Sequence, residues 1–539
     1  MPYTHRPSGS PRVIGLTMVK NEQDIIEPML RHNAALLDAL IVLDNGSVDD
    51  TRMIALSVAR ELGNVVVTDS ARFGYTQGER MTRLLHAAQS SYFADFVLFL
   101  DADEFIGTTS RAALHAELGK IPPNGFGVIL WRSFVLADGV GVADPPRDLP
   151  HRLVTEVLPI NKTVLRFDGT FQPELIVGRG SHVVVRPHEA MPGTELPDLP
   201  LWHFPVRGHA QLTAKALVGW LACLAADPHA FQARQSYHWQ EMFRRIVDGP
   251  GFASSDLRAL SLHYADPAYI LGQPRPPDPL IVHDPAPIDY VRRYSTGTPL
   301  DPLILLARSW EQALRAHDPL FAAGEVPGAE IDIPPFRYLV ERHQPASVLD
   351  INCGVGLELE LFHRLGVPDL AGVGMLPVEA LVLRQGGYVS HDPGAGFTLG
   401  RRYDLVVCLN TRADLSAATA RILTANADRH AGAMIAFSLD DQDVRWLEQW
   451  LTLWRAAGWV PDLMDTLALR CLSCSAAFRR GLVVLRRVGE PAGEQPGLEA
   501  TRELLTIARR PFRMPPPTEG VHEESLLVAA ETSWLGYAA

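Results

Sequence analysis

Cysteine is scarce: the chain has 5 in 539 residues, scattered enough to exclude a disulfide scaffold. Cys471 and Cys474 are spaced C-x-x-C, yet no second pair or histidine cluster accompanies them, so buried or idle thiols are the reading. Basic charge is also in deficit. With 49 Lys and Arg against 62 Asp and Glu, the net charge of -13 argues against a nucleic-acid partner, which needs a cationic surface to displace phosphate counterions. No run of about 18 apolar residues suggests a transmembrane segment. The opening "MPYTHRPSGSPR" has no charged-then-apolar signal design, and a soluble, cytoplasmic protein is the expectation. There is no internal repeat.

What is present is ordinary globular text, 47% hydrophobic and long enough for about three to four domains. From Arg12 to Glu104 short buried strands ("RVIGLTMV", "ALIVLDNG", "VVVTDS", "FVLFL") alternate with helix-spaced segments, the last helix running from about Thr76 to Ser90. That rhythm implies a mostly parallel sheet covered on both faces. Shorter strand candidates follow, "GVILWRSFVL", "HRLVTEV", "KTVLRF" and "HVVVRP", joined by Pro- and Gly-rich loops, and helices resume from His209 to about Ala265. The clustered prolines of "DPAYILGQPRPPDPLIVHDPAPIDY" preclude regular structure and suggest an ordered or semi-rigid connector. A second alternating unit begins at "ASVLDINCGVG" and ends at "GLVVLRR". The expected organisation is a domain over 1–265, a Pro-rich connector with a helix over 266–330, a second domain over 331–488 and a flexible tail over 489–539.

"FVLFLDADEF" ends a buried strand with Asp101, Asp103 and Glu104, three groups that repel one another unless a cation sits among them. In open α/β sheets ligands bind beyond the carboxyl ends of the strands. Hard carboxylate oxygens there suit Mg²⁺ or Mn²⁺ bridging to a substrate's phosphates. "LDNGSVDDT" places Asp44 at the end of the second strand, with Ser47 or Asp49 able to cap the next helix. Glu22 follows the first strand similarly. Either acid can accept hydrogen bonds from nucleobase N–H groups or ribose hydroxyls.

In this order and spacing, "MVKNEQDIIEPMLRHN", "IVLDNGSVDDT" and "FLDADEF" resemble the large inverting glycosyltransferase family of GT-A fold, in its branch with "KNE" after the first strand. The resemblance covers about Arg12 to Ala265. It implies a nucleotide-diphosphate-sugar donor, with Asp44 near the base or ribose, Asp103 on the metal and Asp101 toward the ribose as well as in the metal-binding D-x-D pair. The acceptor would be a glycan or small-molecule hydroxyl. "LWHFPVRGHAQLTAKALVGW" resembles the segment that ends the catalytic core in that branch. It suggests His203 as a third metal ligand, with Arg207 and Lys215 neutralising the departing diphosphate. Lys162 and His182 match weaker features of the branch, and "QSYHWQEMFRRIVDG", around His238 and Trp239, resembles its C-terminal helices. Gln77 and Arg80 begin a helix near the donor cleft. Inverting transfer needs a base for the acceptor hydroxyl. Glu156, Asp168 and Glu174 lie in the acceptor region, and Glu174 is the one favoured.

"VLDINCGVG" resembles the nucleotide-binding loop of class I S-adenosylmethionine-dependent methyltransferases over about Pro334 to Val488. The resemblance implies a doubly wound Rossmann-like fold with S-adenosylmethionine as cofactor, Asp350 at the first strand end and Gly354 and Gly356 in the turn. Three departures stand out. Asn352 replaces a glycine, Gly374 stands where a carboxylate normally holds the ribose hydroxyls, and Asn410 replaces the acid after strand four. Losing a charged acceptor costs about 1.5–3 kcal/mol per hydrogen bond, so the main expectation is a metal-dependent glycosyltransferase carrying a weak or inactive methyltransferase-like domain. The alternatives are a bifunctional enzyme and a non-catalytic scaffold. The oligomeric state stays open, a homo-oligomer included.

Overall fold

Buried aliphatic runs frame the first half of the chain. The computed structural model describes residues 11–69, 77–158, 160–187, 189–226, 237–249, 251–264, 266, 277–315, 332–377, 386–440, 443–473, 475, 478–488 and 494–508. Apart from the short stretch 90–92, they divide into a unit drawn from residues up to 318 and one drawn from 319–512. In the first, strands Val13–Val19 (β1), Ala39–Asp44 (β2), Val65–Asp69 (β3) and Phe96–Leu100 (β4) run parallel in the order β3-β2-β1-β4. Almost every residue in them is buried, as near-continuous Val, Ile and Leu text requires of strands covered on both faces. Helices Ile26–Leu36 (α1), Thr51–Leu62 (α2) and Gln77–Ala87 (α3) connect them. The third is shorter than its expected span, because residues 88–92 widen into a π-helical turn that stops where Phe93 enters the left-handed region at φ 49°.

Beyond β4 the sheet becomes mixed. The chain adds Glu104–Ile106 (β5), Arg111–Leu118 (α4), Phe126–Ser133 (β6), Pro145–Asp148 (α5), His151–Leu153 (β7) and Asn161–Arg166 (β8). Ile176–Val177 (β9), Val184–Val185 (β10), Gly193–Glu195 (β11) and Leu201–His203 (β12) follow. The order continues β4-β8-β6-β12-β5, with β8 antiparallel to both β4 and β6, and β12 parallel to β6. Two reversals cancel, so β6 and β12 point the same way as β1, β2 and β4. The carboxyl ends of all five therefore meet one edge, where β8 begins.

Helices His209–Ala226 (α6), Tyr237–Val247 (α7) and Ser254–Leu262 (α8) follow. At Gly219 of α6 an added Cβ would stand 2.8 Å from the Trp239 ring of α7, so this close approach needs glycine. The Pro-rich stretch carries Ile281–His283 (β13), antiparallel to β7. Its prolines flank this strand at 279 and 285 without interrupting it, so prolines did not preclude regular structure here. Helix Pro302–Arg315 (α9) follows, with Leu305 packed on Ala214 and Val218. Glu27, buried in α1, anchors the stretch by accepting the backbone N–H groups of Arg293, Tyr294 and Ser295 at 2.8, 2.9 and 2.7 Å.

The second unit opens with Ile333–His343 (α10) and Ser347–Ile351 (β14), then Leu357–Arg364 (α11), Asp369–Gly374 (β15), Gly387–Ser390 (β16) and Tyr403–Thr411 (β17). Ala417–His430 (α12), Ala431–Leu439 (β18), Val444–Ala456 (α13), Trp459–Pro461 (β19), Leu463–Leu472 (α14), Phe478–Gly481 (α15) and Val483–Arg487 (β20) complete its sheet layers. Strand order is β16-β15-β14-β17-β18-β20-β19, with β20 alone antiparallel to its neighbours. The order reverses at β14 and β17, the kind of switch point beside which ligands bind. Trp450, Trp454 and Trp459 join Phe437 in its core. Part of the expected flexible tail is instead helix Glu494–Ala508 (α16), because Leu504 is wholly buried in that core and Arg480 donates to the Ala508 carbonyl at 3.0 Å.

Candidate functional site

The convergence of strand ends at one edge of the first sheet decides which side chains meet. Asp44 closes β2 and is buried. Its Oδ2 accepts the Ser47 N–H at 3.0 Å, while Oδ1 is buried without a hydrogen-bond partner among the described residues. Burial pushes its carboxyl up to about 6. An unsatisfied buried acceptor is costly, and here it is an acceptor available to an N–H or O–H donor. Around it, Arg80 donates to the Asn45 side chain and the Lys20 ammonium donates to the Asn45 carbonyl at 3.1 Å. Gln77 accepts the Gly180 N–H at 2.9 Å. Ser47 accepts from Asn21 N–H, and Asp49 accepts the N–H of Thr51 at the start of α2.

The question raised by Asp101, Asp103 and Glu104 has an internal answer. Lys162, at the start of β8 and 1% exposed, donates to Asp101 Oδ2 at 2.7 Å and lies 3.7 Å from Glu104. Lys215, one turn into α6 and 22% exposed, donates to Asp103 Oδ2 at 3.0 Å. Arg207 approaches the same oxygen at 3.6 Å. Burial alone would raise Asp103, but Lys215, His203 and Arg207 together hold it well below the ordinary carboxylate range. Glu104 differs. Burial lifts it to about 8, and it is sealed by the Trp131 indole N–H at 2.6 Å and the Asp101 N–H at 2.8 Å. The built-in cations thus replace part of the charge that the sequence assigned to a metal.

The expected metal set of Asp101, Asp103 and His203 is only partly assembled. Among the described residues no three ligating side chains converge, because Asp101 is turned toward Lys162. Asp103 and His203 do face each other, Oδ1 to Nε2 at 3.9 Å, too far for a hydrogen bond. His203 is buried, stacked on Trp131 at 3.8 Å between ring centroids, and its Nδ1 has no hydrogen-bond partner among the described residues. Burial pushes its pKa down to about 3, so the imidazole is neutral and keeps a lone pair. A carboxylate oxygen suits Mn²⁺ or Mg²⁺, and a neutral imidazole can join it on the softer Mn²⁺, the rest of the shell coming from phosphate and water. Asp103 and His203 fit such an ion.

Three other assignments shift. Arg207, expected beside the departing diphosphate, is buried. It bonds Glu22, reaches Asp24 at 2.6 and 3.1 Å, and donates to the Phe204 carbonyl. Its fork holds the β1 loop to the β12 loop, which leaves Lys215 as the cation with access to a ligand. Glu22, expected at the nucleotide, is that fork's partner, its carboxyl raised by burial to about 7. Glu174 is exposed and paired with Arg186 at 3.4 Å. Asp168 caps a loop through Thr170 N–H and Asn124. Glu156 accepts from both the N–H and the hydroxyl of Ser133, at 2.6 and 2.9 Å. His182 bonds the Asn161 carbonyl through Nδ1 at 2.6 Å. Asp24, Trp131 and Ser133 were not singled out in the sequence; Asp24 sits two residues after Glu22, which is the one local signal for it.

In the second unit, the β14 to α11 turn holds the expected residues together. Asp350 is buried near the strand end, its carboxyl raised well above the ordinary range by burial and then by Glu358. Asn352 takes φ 71°, so asparagine serves where the motif's glycine would, and Gly354 and Gly356 sit at φ 52° and 81°. Gly374 ends β15, where an added Cβ would stand 3.3 Å from the Tyr388 hydroxyl. Asn410 is exposed at φ 49°. Cys471 is a buried free thiol in α14; Cys474 and the side chain of His238 lie outside the described residues.

No family model matches the chain. Solved structures match parts of it. Ribosomal protein L11 methylase from Lactobacillus delbrueckii subsp. bulgaricus is 18% identical over 26% of this chain and 69% of its own, with a TM-score of 0.20. The plantazolicin methyltransferase BpumL, in complex with SAH, is 14% identical over 28% of this chain and 80% of its own, with a TM-score of 0.21. The N-methyltransferase NodS from Bradyrhizobium japonicum, also with S-adenosyl-L-homocysteine, is 14% identical over 27% and 79%, with a TM-score of 0.20.

Proposed function

We propose that the chain is a two-unit transferase whose first unit moves a sugar from a nucleotide-diphosphate-sugar to an acceptor hydroxyl with inversion. The observation that carries this reading is the shared sheet edge. It lines up a buried carboxylate with an unpartnered acceptor oxygen (Asp44), a carboxylate and neutral imidazole facing each other (Asp103 and His203), and a partly exposed cation (Lys215). Those are the chemistries a nucleoside, a divalent ion and a diphosphate require. Mn²⁺ or Mg²⁺ on Asp103 and His203 would supply positive charge to the leaving diphosphate. Asp44 would accept from the nucleoside. Lys215 would stabilise the leaving phosphate oxygens, and Arg207 holds Glu22 and Asp24 so that the loops shaping the cleft stay fixed.

Incubating the full chain with UDP-, GDP- and dTDP-sugars and Mn²⁺, and following release of nucleoside diphosphate, tests this. Release is expected from one donor class and a fall of at least about a hundredfold in Asp103→Asn. Undiminished release in that variant, or none from the wild type, overturns the reading.

A second reading concerns the second unit, which takes S-adenosylmethionine on the β14 to α11 turn. The reversal of strand order at β14 and β17, and a turn that keeps its left-handed geometry despite Asn352, support it. The methyltransferase-like domain then makes the chain bifunctional. Calorimetric titration with S-adenosylmethionine should give a saturable heat. A flat titration with no shift in melting temperature leaves the unit a packing or partner-binding module.

A further inference from the structure

The carboxyl end of β15 lacks the acid that its position calls for, and the space is already taken. In sheets of this winding a nucleoside cofactor lies beyond the first Gly-rich turn, and an acidic residue about 20 positions on accepts from its ribose. Counted from Gly354, that position is Gly374. An added Cβ there would stand 3.3 Å from the Tyr388 hydroxyl, 3.5 Å from Cys353 Sγ and 3.7 Å from Tyr388 Cε2. The phenol fills the room in which a side chain at 374 would begin, and the glycine is what admits it.

Strand register brings the phenol there. In the parallel β15 to β16 pairing Tyr388 lies opposite Gly372 and Ser390 opposite Gly374, so Gly372, Gly374 and Tyr388 share one face of the sheet. The Gly-rich turn reaches the same face, since Cys353 Sγ also lies 2.9 Å from the Cβ position of Gly372. With no side chain at 372 or 374, Tyr388 leans toward the strand end, where its hydroxyl donates to the Leu376 carbonyl at 2.6 Å. That bond commits the one phenolic proton. What the oxygen has left is lone-pair capacity, so toward a ligand it is an acceptor, as a ribose hydroxyl requires. At this corner Val355 of the turn and Met375 and Leu376 past β15 expose apolar side chains, a surface suited to the face of a base.

We infer that Tyr388 takes the place of the missing carboxylate and accepts a ribose hydroxyl of S-adenosylmethionine, a role that rests on the cofactor reading of the second unit. The exchange changes recognition in two ways. A carboxylate has two oxygens and can reach both neighbouring ribose hydroxyls, whereas one phenol oxygen selects one of them. A carboxylate is also charged and makes the stronger bond, so the neutral phenol holds the cofactor less tightly.

The test is calorimetric and uses the full chain with S-adenosylhomocysteine and its 2′-deoxy and 3′-deoxy analogues. In the wild type, loss of one hydroxyl should weaken binding about 3- to 10-fold, and loss of the other less than about twofold. Tyr388→Phe should bind the parent compound about 3- to 10-fold more weakly and should no longer distinguish it from the sensitive analogue. Adding Gly374→Asp to Tyr388→Phe should recover wild-type affinity or better. Should the substitutions unfold the unit, the wild-type analogues decide alone. Indifference of the wild type to both deoxy analogues overturns the assignment, as does Tyr388→Phe binding within about twofold of wild type. So does a variant that still discriminates the sensitive analogue as the wild type does, since that describes a phenol that only braces the Leu376 loop. No heat from the wild type with any of these compounds overturns the cofactor reading itself, and this role with it.

Discussion

At the scale of single residues, the first unit is built around charges that compensate one another out of water. Removing Arg207 leaves Glu22 and Asp24 buried and unpaired, so Arg207→Met should destabilise the protein by about 3–5 kcal/mol, measured by urea denaturation. His182 gives a pH signature. Burial, reinforced by Lys162, holds it down to about 4, against an ordinary value near 6.5. As pH falls from about 6.5 toward 4 the unfolded chain takes up a proton and the folded one does not, so this contribution to stability is full above 6.5 and lost on acidification. The slope is up to about 1.4 kcal/mol per pH unit. Glu22 and Glu104, with raised values, act in the opposite sense over part of this window, so the comparison must be wild type against His182→Gln, the variant having the shallower acid loss. In the second unit, Gly374→Asp would supply the carboxylate that the end of β15 lacks. S-adenosylmethionine should then bind roughly ten- to a hundredfold more tightly by calorimetry, and pairing it with Tyr388→Phe relieves the close approach to the hydroxyl.

Elements show how much of this was readable in advance. The strands β1, β2, β4, β14, β17 and β18 are near-continuous apolar runs bounded by turn residues, and such runs are legible because burial on both faces demands them. β16 was not, since its four residues are largely exposed at a sheet edge and carry no pattern. α16 was hidden by the Pro-, Glu- and Gly-rich composition around it, although Leu504 is entirely enclosed. Leu504→Ala should cost about 2–5 kcal/mol in the second unit, read as an earlier urea midpoint at unchanged m-value. If the tail were free there, the substitution would be silent.

For the molecule as a whole, the sequence by itself determined two alternating α/β units, the placement of Asp44, Asp101 and Asp103 after buried strands, and the glycine-bearing turn after β14. Hydrophobic period and turn chemistry are local, so they survive in one dimension. Only the tertiary structure decided which charges meet. Lys162 lies 61 positions from Asp101 and Lys215 lies 112 from Asp103, and no spacing rule links them. They come together because β8 runs antiparallel between β4 and β6, bringing its first residues to the edge where the other strands end, and because α6 begins just past β12 at that same edge.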